Sequence, residues 1–126
     1  MTLHFIGAVA RPRLAFLADA LAVGFRPFEL KLGVPECWPR GLAVLRPFSV
    51  PERLRDLQAA LGERLRAQGL PVEARDFRPH VTLARKAVRA VAPVPAPELS
   101  WPVASYTLVE SLPGAGYRVL RTYPVV

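Results

Sequence analysis

Apolar and polar residues alternate most cleanly at Phe28-Glu29-Leu30-Lys31-Leu32, a period of two that predicts a half-buried strand. Ahead of it, Leu14, Leu17, Ala18 and Leu21 recur at helical spacing, with Pro12 tolerable in a first turn and Gly24 at the end. Leu54, Leu57, Leu61 and Leu65 line one face of a longer helix, whose other face carries Arg53, Arg55, Asp56, Glu63 and Arg64. Ser49-Val50-Pro51-Glu52 in front of it fits a capping box, with Ser49 as the N-cap and Glu52 reaching back. Gly69 closes the helix.

Shorter runs fill the remaining chain. Thr2 to Gly7 reads TLHFIG, an apolar run with a glycine end that predicts a strand, and Leu42 to Leu45 predicts another after a turn around Pro39 to Gly41. His80 to Arg85 is a further strand, and a Pro-rich connector follows from Val91 to Pro102. Ser105 to Ser111 and Tyr117 to Tyr123 form a hairpin through Pro113-Gly114-Ala115-Gly116. The order is strand, helix, strand, strand, helix, strand, strand, strand. TLHFIG and HVTLAR share a Thr-Leu core, which hints at two related halves; coincidence between short apolar strands produces the same pattern.

Composition sets the class. A chain of 126 residues, 52% hydrophobic and 21% charged, has enough apolar material for one small core and is not a disordered tail. The net charge is +7, and Lys31 and Lys86 are the only lysines, so the positive charge is almost all arginine. The planar guanidinium fork favours phosphate partners. Genome composition accounts for the same excess, since Arg, Ala, Pro and Leu are abundant together. A single cysteine, Cys37, excludes an internal disulfide and fits a reducing cytoplasm. No Cys/His spacing suits a metal. The apolar stretch Leu14 to Phe25 is too short for a bilayer and contains Asp19, and the layout of a signal peptide is lacking, so no membrane partner is expected.

The candidate chemistry lies in Arg78-Pro79-His80-Val81-Thr82-Leu83-Ala84-Arg85. Residues two apart on a strand share a face, so His80 and Thr82 point the same way. An imidazole moves protons near neutral pH, and a hydroxyl beside it donates to a phosphoryl oxygen. Together they make half of a phosphoester site. Taken alone, a single His-x-Thr is a weak signal, and a histidine is more often a satisfied structural residue.

FRPHVTLARK resembles the second signature of the two-histidine (2H) phosphoesterases, the family that includes the RNA 2′,3′-cyclic phosphodiesterases, also called 2′-5′ RNA ligases. YTLVES with YRVLRTYP resembles the closing hairpin of that branch, and PFELKLG and the Leu-rich helix sit where it has equivalents, so the likeness covers essentially the whole chain. It implies an α+β fold: two pseudo-symmetric lobes of antiparallel strands, helices on the outer faces and a central groove, in a single domain over residues 1–126. The activity implied is hydrolysis of an RNA 2′,3′-cyclic phosphate to a 2′-phosphomonoester, without metal or other cofactor. RNA or a nucleotide carrying that group is then the partner. By the same resemblance His80 is the proton acceptor, Thr82 and Thr2 hold the phosphate, and Arg85 binds substrate. Strand parity sets Arg85 on the other face from His80, Thr82, Ala84 and Lys86. Arg85 reaches the groove only if the strand ends or bulges near Ala84; otherwise Lys86 is the better ligand.

The first family signature reads approximately His-x-Thr-Leu-x-Phe-x-Gly. Met1-Thr2-Leu3-His4-Phe5-Ile6-Gly7 matches it from the x onward, so the histidine would precede Met1, together with the family's first strand and helix. An internal Met, a misassigned start and a real truncation all fit. His4 shares the face of Thr2 by alternation but lies about 13 Å along the strand from the position of the missing histidine, beyond hydrogen-bond reach, which makes it a surface or groove-lining residue. The expectation is a monomer with impaired turnover and an open edge that favours self-association. The alternative from another class is a non-catalytic RNA- or nucleotide-binding module that keeps one His-x-Thr motif.

Overall fold

The computed structural model describes residues 1–89 and 91–125. A 3-10 turn at Arg11–Arg13 leads into α1 (Leu14–Ala20), followed by β1 (Phe28–Trp38), β2 (Leu42–Pro47), α2 (Glu52–Ala67), β3 (Val81–Ala84), β4 (Leu99–Val103), β5 (Ser105–Leu112) and β6 (Gly116–Pro124). The fold is α+β with two antiparallel sheets, one ordered β3-β2-β1-β4 and the other the β5-β6 hairpin.

Helix α2 ties the two sheets together. Leu57, Leu61 and Leu65 are buried in a cluster with Leu17 and Ala18 of α1, with Leu21 just after it, and with Leu108 and Tyr123 of the hairpin. One turn earlier, Leu54 joins Leu30, Leu32 and Leu45 of the four-stranded sheet. A helix of 16 residues is marginal alone in water. Each buried leucine contributes roughly 1.5–3 kcal/mol, so packing rather than propensity holds α2. The helix ends in a Schellman turn: Leu70 N–H donates to the Leu65 carbonyl at 3.0 Å and Gly69 N–H to the Arg66 carbonyl at 2.9 Å, with Gly69 at φ +73°.

Several expectations are corrected. Thr2 to Gly7 is not a strand: a strand is defined by ladder partners, and this segment has none. It is held instead through Leu3, Ile6 and Val9, which pack on the core around α1 and α2. Ser49 does not cap α2; the N-cap is Pro51, no side chain bonds there, and Glu52 is the first helical residue. The Pro51 carbonyl accepts from Leu54 N–H at 3.1 Å and Arg55 N–H at 3.2 Å. Helix α1 stops at Ala20 with Leu21 as its C-cap, short of Gly24. The connector from Val91 to Pro102 contains most of β4, an edge strand whose Leu99 and Trp101 pair with Leu32 and Leu30. Pro102 is tolerated because an edge strand needs half of its backbone groups unpaired.

The alternation at Phe28 to Leu32 continues to Trp38, but its phase changes on the way. Leu32 pairs with Pro47 and Val34 with Arg46, so Gly33 is the extra residue of a β-bulge. A Cβ on Gly33 would lie 2.1 Å from Cζ of Phe48, whose ring lies over it. Before the bulge the even positions Phe28, Leu30 and Leu32 face the helices. After it, the even positions Glu36 and Trp38 face the opposite, open side, in register with Val44 and Leu42.

Among the described residues no helix is long and apolar enough to cross a membrane.

Candidate active site

His80 stands one residue before β3, and Thr82 lies within it. Thr82 pairs with Val44, which on its other side pairs with Glu36, so Thr82 lies on the face of the sheet that Glu36 and Trp38 share. His80 Nδ1 lies 2.7 Å from the Arg78 carbonyl oxygen. A carbonyl only accepts, so Nδ1 carries the proton, and in the neutral ring Nε2 keeps its lone pair. The imidazole is half-buried and packs on the Trp38 indole, ring centroids 4.4 Å apart.

Trp38 is itself held on two sides. The Arg78 guanidinium lies over its ring, 4.3 Å from the centroid. Its indole N–H donates to Glu36 Oε2 at 2.7 Å, and the other oxygen of Glu36 is ion-paired to Arg46. The indole bond, then the bond to Arg46, holds the Glu36 carboxyl below its ordinary range. Sequence reasoning missed all four of these residues. The signal for Arg78 and Trp38 was present in RPH and CWP, but the Gly33 bulge that turns Glu36 and Trp38 toward His80 has no mark in the alternation before it.

The other expected site residues fall as follows. Arg85 is exposed and follows Ala84, where β3 ends. The register passes from Val44↔Thr82 to Ala43↔Ala84, so Leu83 is an extra residue and the phase shifts there. The condition for Arg85 to come into phase with Thr82 is therefore met. Thr2 is exposed in the N-terminal segment, and among the described residues no hydrogen bond joins it to His80 or Thr82. His4 does not share its setting: its Nε2 sits 2.7 Å from the Gln58 carbonyl, and its ring touches Gly62, where an added Cβ would lie 3.3 Å from Cε1. Without a ladder, period-two alternation does not govern this segment, and His4 packs against α2 rather than lining a groove.

Among the described residues no group of three or more His, Cys, Asp or Glu side chains converges as a metal site. An apolar hollow of about 400 Å³ lies on the helix-facing side of the four-stranded sheet, lined by Met1, Leu32, Leu45, Val81, Leu83 and Leu99 among others. It offers little to a phosphate and lies across the sheet from Thr82.

The family model described as the 2′-5′ RNA ligase superfamily matches residues 1–112. The chain belongs to that superfamily. Its fold matches solved structures of 2H phosphoesterases closely. Escherichia coli LigT complexed with 3′-AMP superposes with a TM-score of 0.86 at 27% identity, over 98% of this chain and 75% of that one. A crystal structure described as a phosphoesterase gives 0.85 at 27% identity with the same coverage. TT0787 of Thermus thermophilus gives 0.71 at 25% identity, over 98% of this chain and 76% of that one. No curated protein matches the sequence. Membership of the superfamily brings phosphoesterase chemistry in general and the two-sheet α+β fold seen here.

Proposed function

We propose that the protein is an RNA 2′,3′-cyclic phosphodiesterase that opens the cyclic phosphate to a 2′-phosphomonoester. His80 is the general base: its Nε2 takes a proton from water as the water oxygen attacks phosphorus in line with the 3′ oxygen. The P–O3′ bond breaks, and an acid protonates the leaving oxygen, giving a 3′ hydroxyl. Thr82 donates to a phosphoryl oxygen, Arg85 neutralises its charge, and Thr2 approaches the same phosphate from the other side. The observation that carries the reading is the His80–Arg78 bond, which leaves Nε2 as the acceptor, with Thr82 two residues further on the same face. LigT complexed with 3′-AMP, with NADP+ and with ATP shows that a similar protein binds nucleotides.

The 126 residues hold two histidines, and His4 is occupied by Gln58. They therefore bring one imidazole to the open face. Absence of one general acid lowers a rate by about a hundred- to ten-thousandfold. These residues by themselves are thus expected to turn substrate over poorly. The test follows 2′,3′-cyclic AMP by phosphorus NMR, with the 126 residues and with a chain extended upstream of Met1 by a segment containing a histidine. The extended chain should hydrolyse it, and His80→Ala in that chain should cost about a hundredfold or more. An undiminished rate in the variant removes His80 from the reaction. Equal turnover by both chains shows that the acid lies within the 126 residues.

A single available imidazole also favours a second reading, a nucleotide-binding module without turnover. Saturable binding of the cyclic nucleotide with no product from either chain selects it.

A further inference from the structure

Two turns meet beyond the end of β3. Pro39–Gly41 joins β1 to β2, and residues 85–88 leave β3. Ala87 N–H donates to the Gly41 carbonyl at 2.7 Å, and a Cβ on Gly41 would lie 2.7 Å from that same nitrogen. The contact fixes the two turns against each other and excludes any side chain at position 41. Flanking it are Arg40 at φ 68° and Lys86 at φ 56°, the only non-glycine residues with positive φ among the described residues.

The left-handed region costs a residue with a Cβ, and where it is not glycine it is most often Asn or Asp. Here both positions carry long cations instead, and both are exposed, so core packing does not account for the choice. Arg11, Arg46, Arg75, Arg118 and Arg121 each pair with a carboxylate. Arg40 and Lys86 form no ion pair among the described residues. Lys86 follows Thr82 by four residues, roughly 13 Å of extended chain. The rim is thus a fixed pair of unneutralised cations a short distance from the proposed reaction centre. Unpaired cations on a rigid turn suit phosphate oxygens better than apolar or cationic groups.

We propose that Arg40 and Lys86 form a second phosphate-binding site, which takes internucleotide phosphates of an RNA strand whose 3′ end lies at His80 and Thr82. This rests on the cyclic phosphodiesterase reading for the position of the 3′ end, but not for the binding of the strand. The site gives longer strands an advantage over a mononucleotide and makes that advantage salt-dependent.

The test measures binding of a 5′-labelled RNA octamer by fluorescence anisotropy across a salt series. The octamer ends either in a 2′,3′-cyclic phosphate or in a 3′ hydroxyl, and 2′,3′-cyclic AMP is titrated separately by NMR. The variant is Arg40→Asn with Lys86→Asn, since Asn accepts the left-handed conformation and keeps the turns while removing both charges. Affinity for both octamers should fall about tenfold at low salt, and the slope of log K against log salt should flatten by about 1.4, or 0.7 for each lost contact with a single strand. Binding of 2′,3′-cyclic AMP should stay the same. An unchanged octamer affinity and slope overturns the proposal. So does an equal loss for the mononucleotide, which puts the two residues at the reacting phosphate, or equal displacement of the octamer by polyglutamate, which makes the rim a general acceptor of anions. Loss for both octamers with no preference for the cyclic end keeps the rim and removes the placing of the 3′ end at His80 and Thr82.

Discussion

The Trp38 indole packs against the His80 imidazole with ring centroids 4.4 Å apart and planes inclined at 58°. The last residue of β1 and the residue just before β3 thereby share one environment, and the side chain expected to move protons is walled by one that cannot. The wall is stiff because Trp38 is held from its own edge by Glu36 and over its ring by Arg78.

Removing the indole should therefore be felt at His80. In Trp38→Ala the His80 ring-proton resonances should lose the ring-current displacement that the indole imposes, while Trp38→Phe should keep most of it. In a chain that turns over cyclic phosphate, the alanine variant should lower kcat by about ten- to a hundredfold, the scale of a small misplacement of a reacting group. KM should move less. Wild-type kcat in Trp38→Ala would show that His80 is fixed by its bond to Arg78 alone.

Glu36 gives this wall a pH limit. Its carboxyl is held below the ordinary value of 4.5, first by the bond from the Trp38 indole and then by Arg46. A depressed folded-state value means that the contribution to stability is present above 4.5 and is lost as pH falls through the lower, folded value. The indole N–H resonance of Trp38 should accordingly hold its bonded position down through pH 4.5 and shift only below it. Glu36→Gln should abolish that titration. A midpoint above 4.5 would contradict the network.

Tyr106 fastens the loop after α1 to the hairpin. Its hydroxyl accepts from Val23 N–H at 2.8 Å and donates to the Leu21 carbonyl at 2.7 Å. Its ring stacks on Tyr123 at 4.6 Å. Burial pushes the phenol above its ordinary pKa, so the donor is kept at neutral pH. Tyr106→Phe keeps the ring and leaves the half-buried Val23 N–H unsatisfied, which costs about 1–3 kcal/mol. At about 4 °C per kcal/mol, thermal unfolding should fall by roughly 4–12 °C. A shift below about 1 °C would mean that water replaces the hydroxyl without loss.

Gly69 supplies the positive φ of the Schellman turn after α2, and nothing lies within 4 Å of where its Cβ would be. Substitution there meets strain without a clash. Gly69→Ala should cost about 1–2 kcal/mol and Gly69→Asn less, because Asn tolerates the left-handed region. Chemical denaturation separates the two; equal stabilities for wild type and the alanine variant would show that the turn relaxes into another form.

The sequence by itself determined what local period and a dense motif can carry. Leu54, Leu57, Leu61 and Leu65 mark one helical face wherever that helix docks, Gly69 ends it, and the hairpin of β5 and β6 follows from its turn residues. FRPHVTLARK marked the family, which the match over residues 1–112 bears out. The tertiary structure decided everything that depended on a partner distant in the chain. Thr2 to Gly7 has strand composition but no ladder, and β4 has a proline but an edge that accepts it. His4 follows α2 rather than Thr2. Most of all, the extra residues at Gly33 and Leu83 reset the alternation on two strands, so Glu36 and Trp38 fall out of phase with Phe28 to Leu32, and Arg85 departs from the parity read for it. A bulge exists only between paired strands. It inverts which face each later residue takes, and no pattern within a single strand records it.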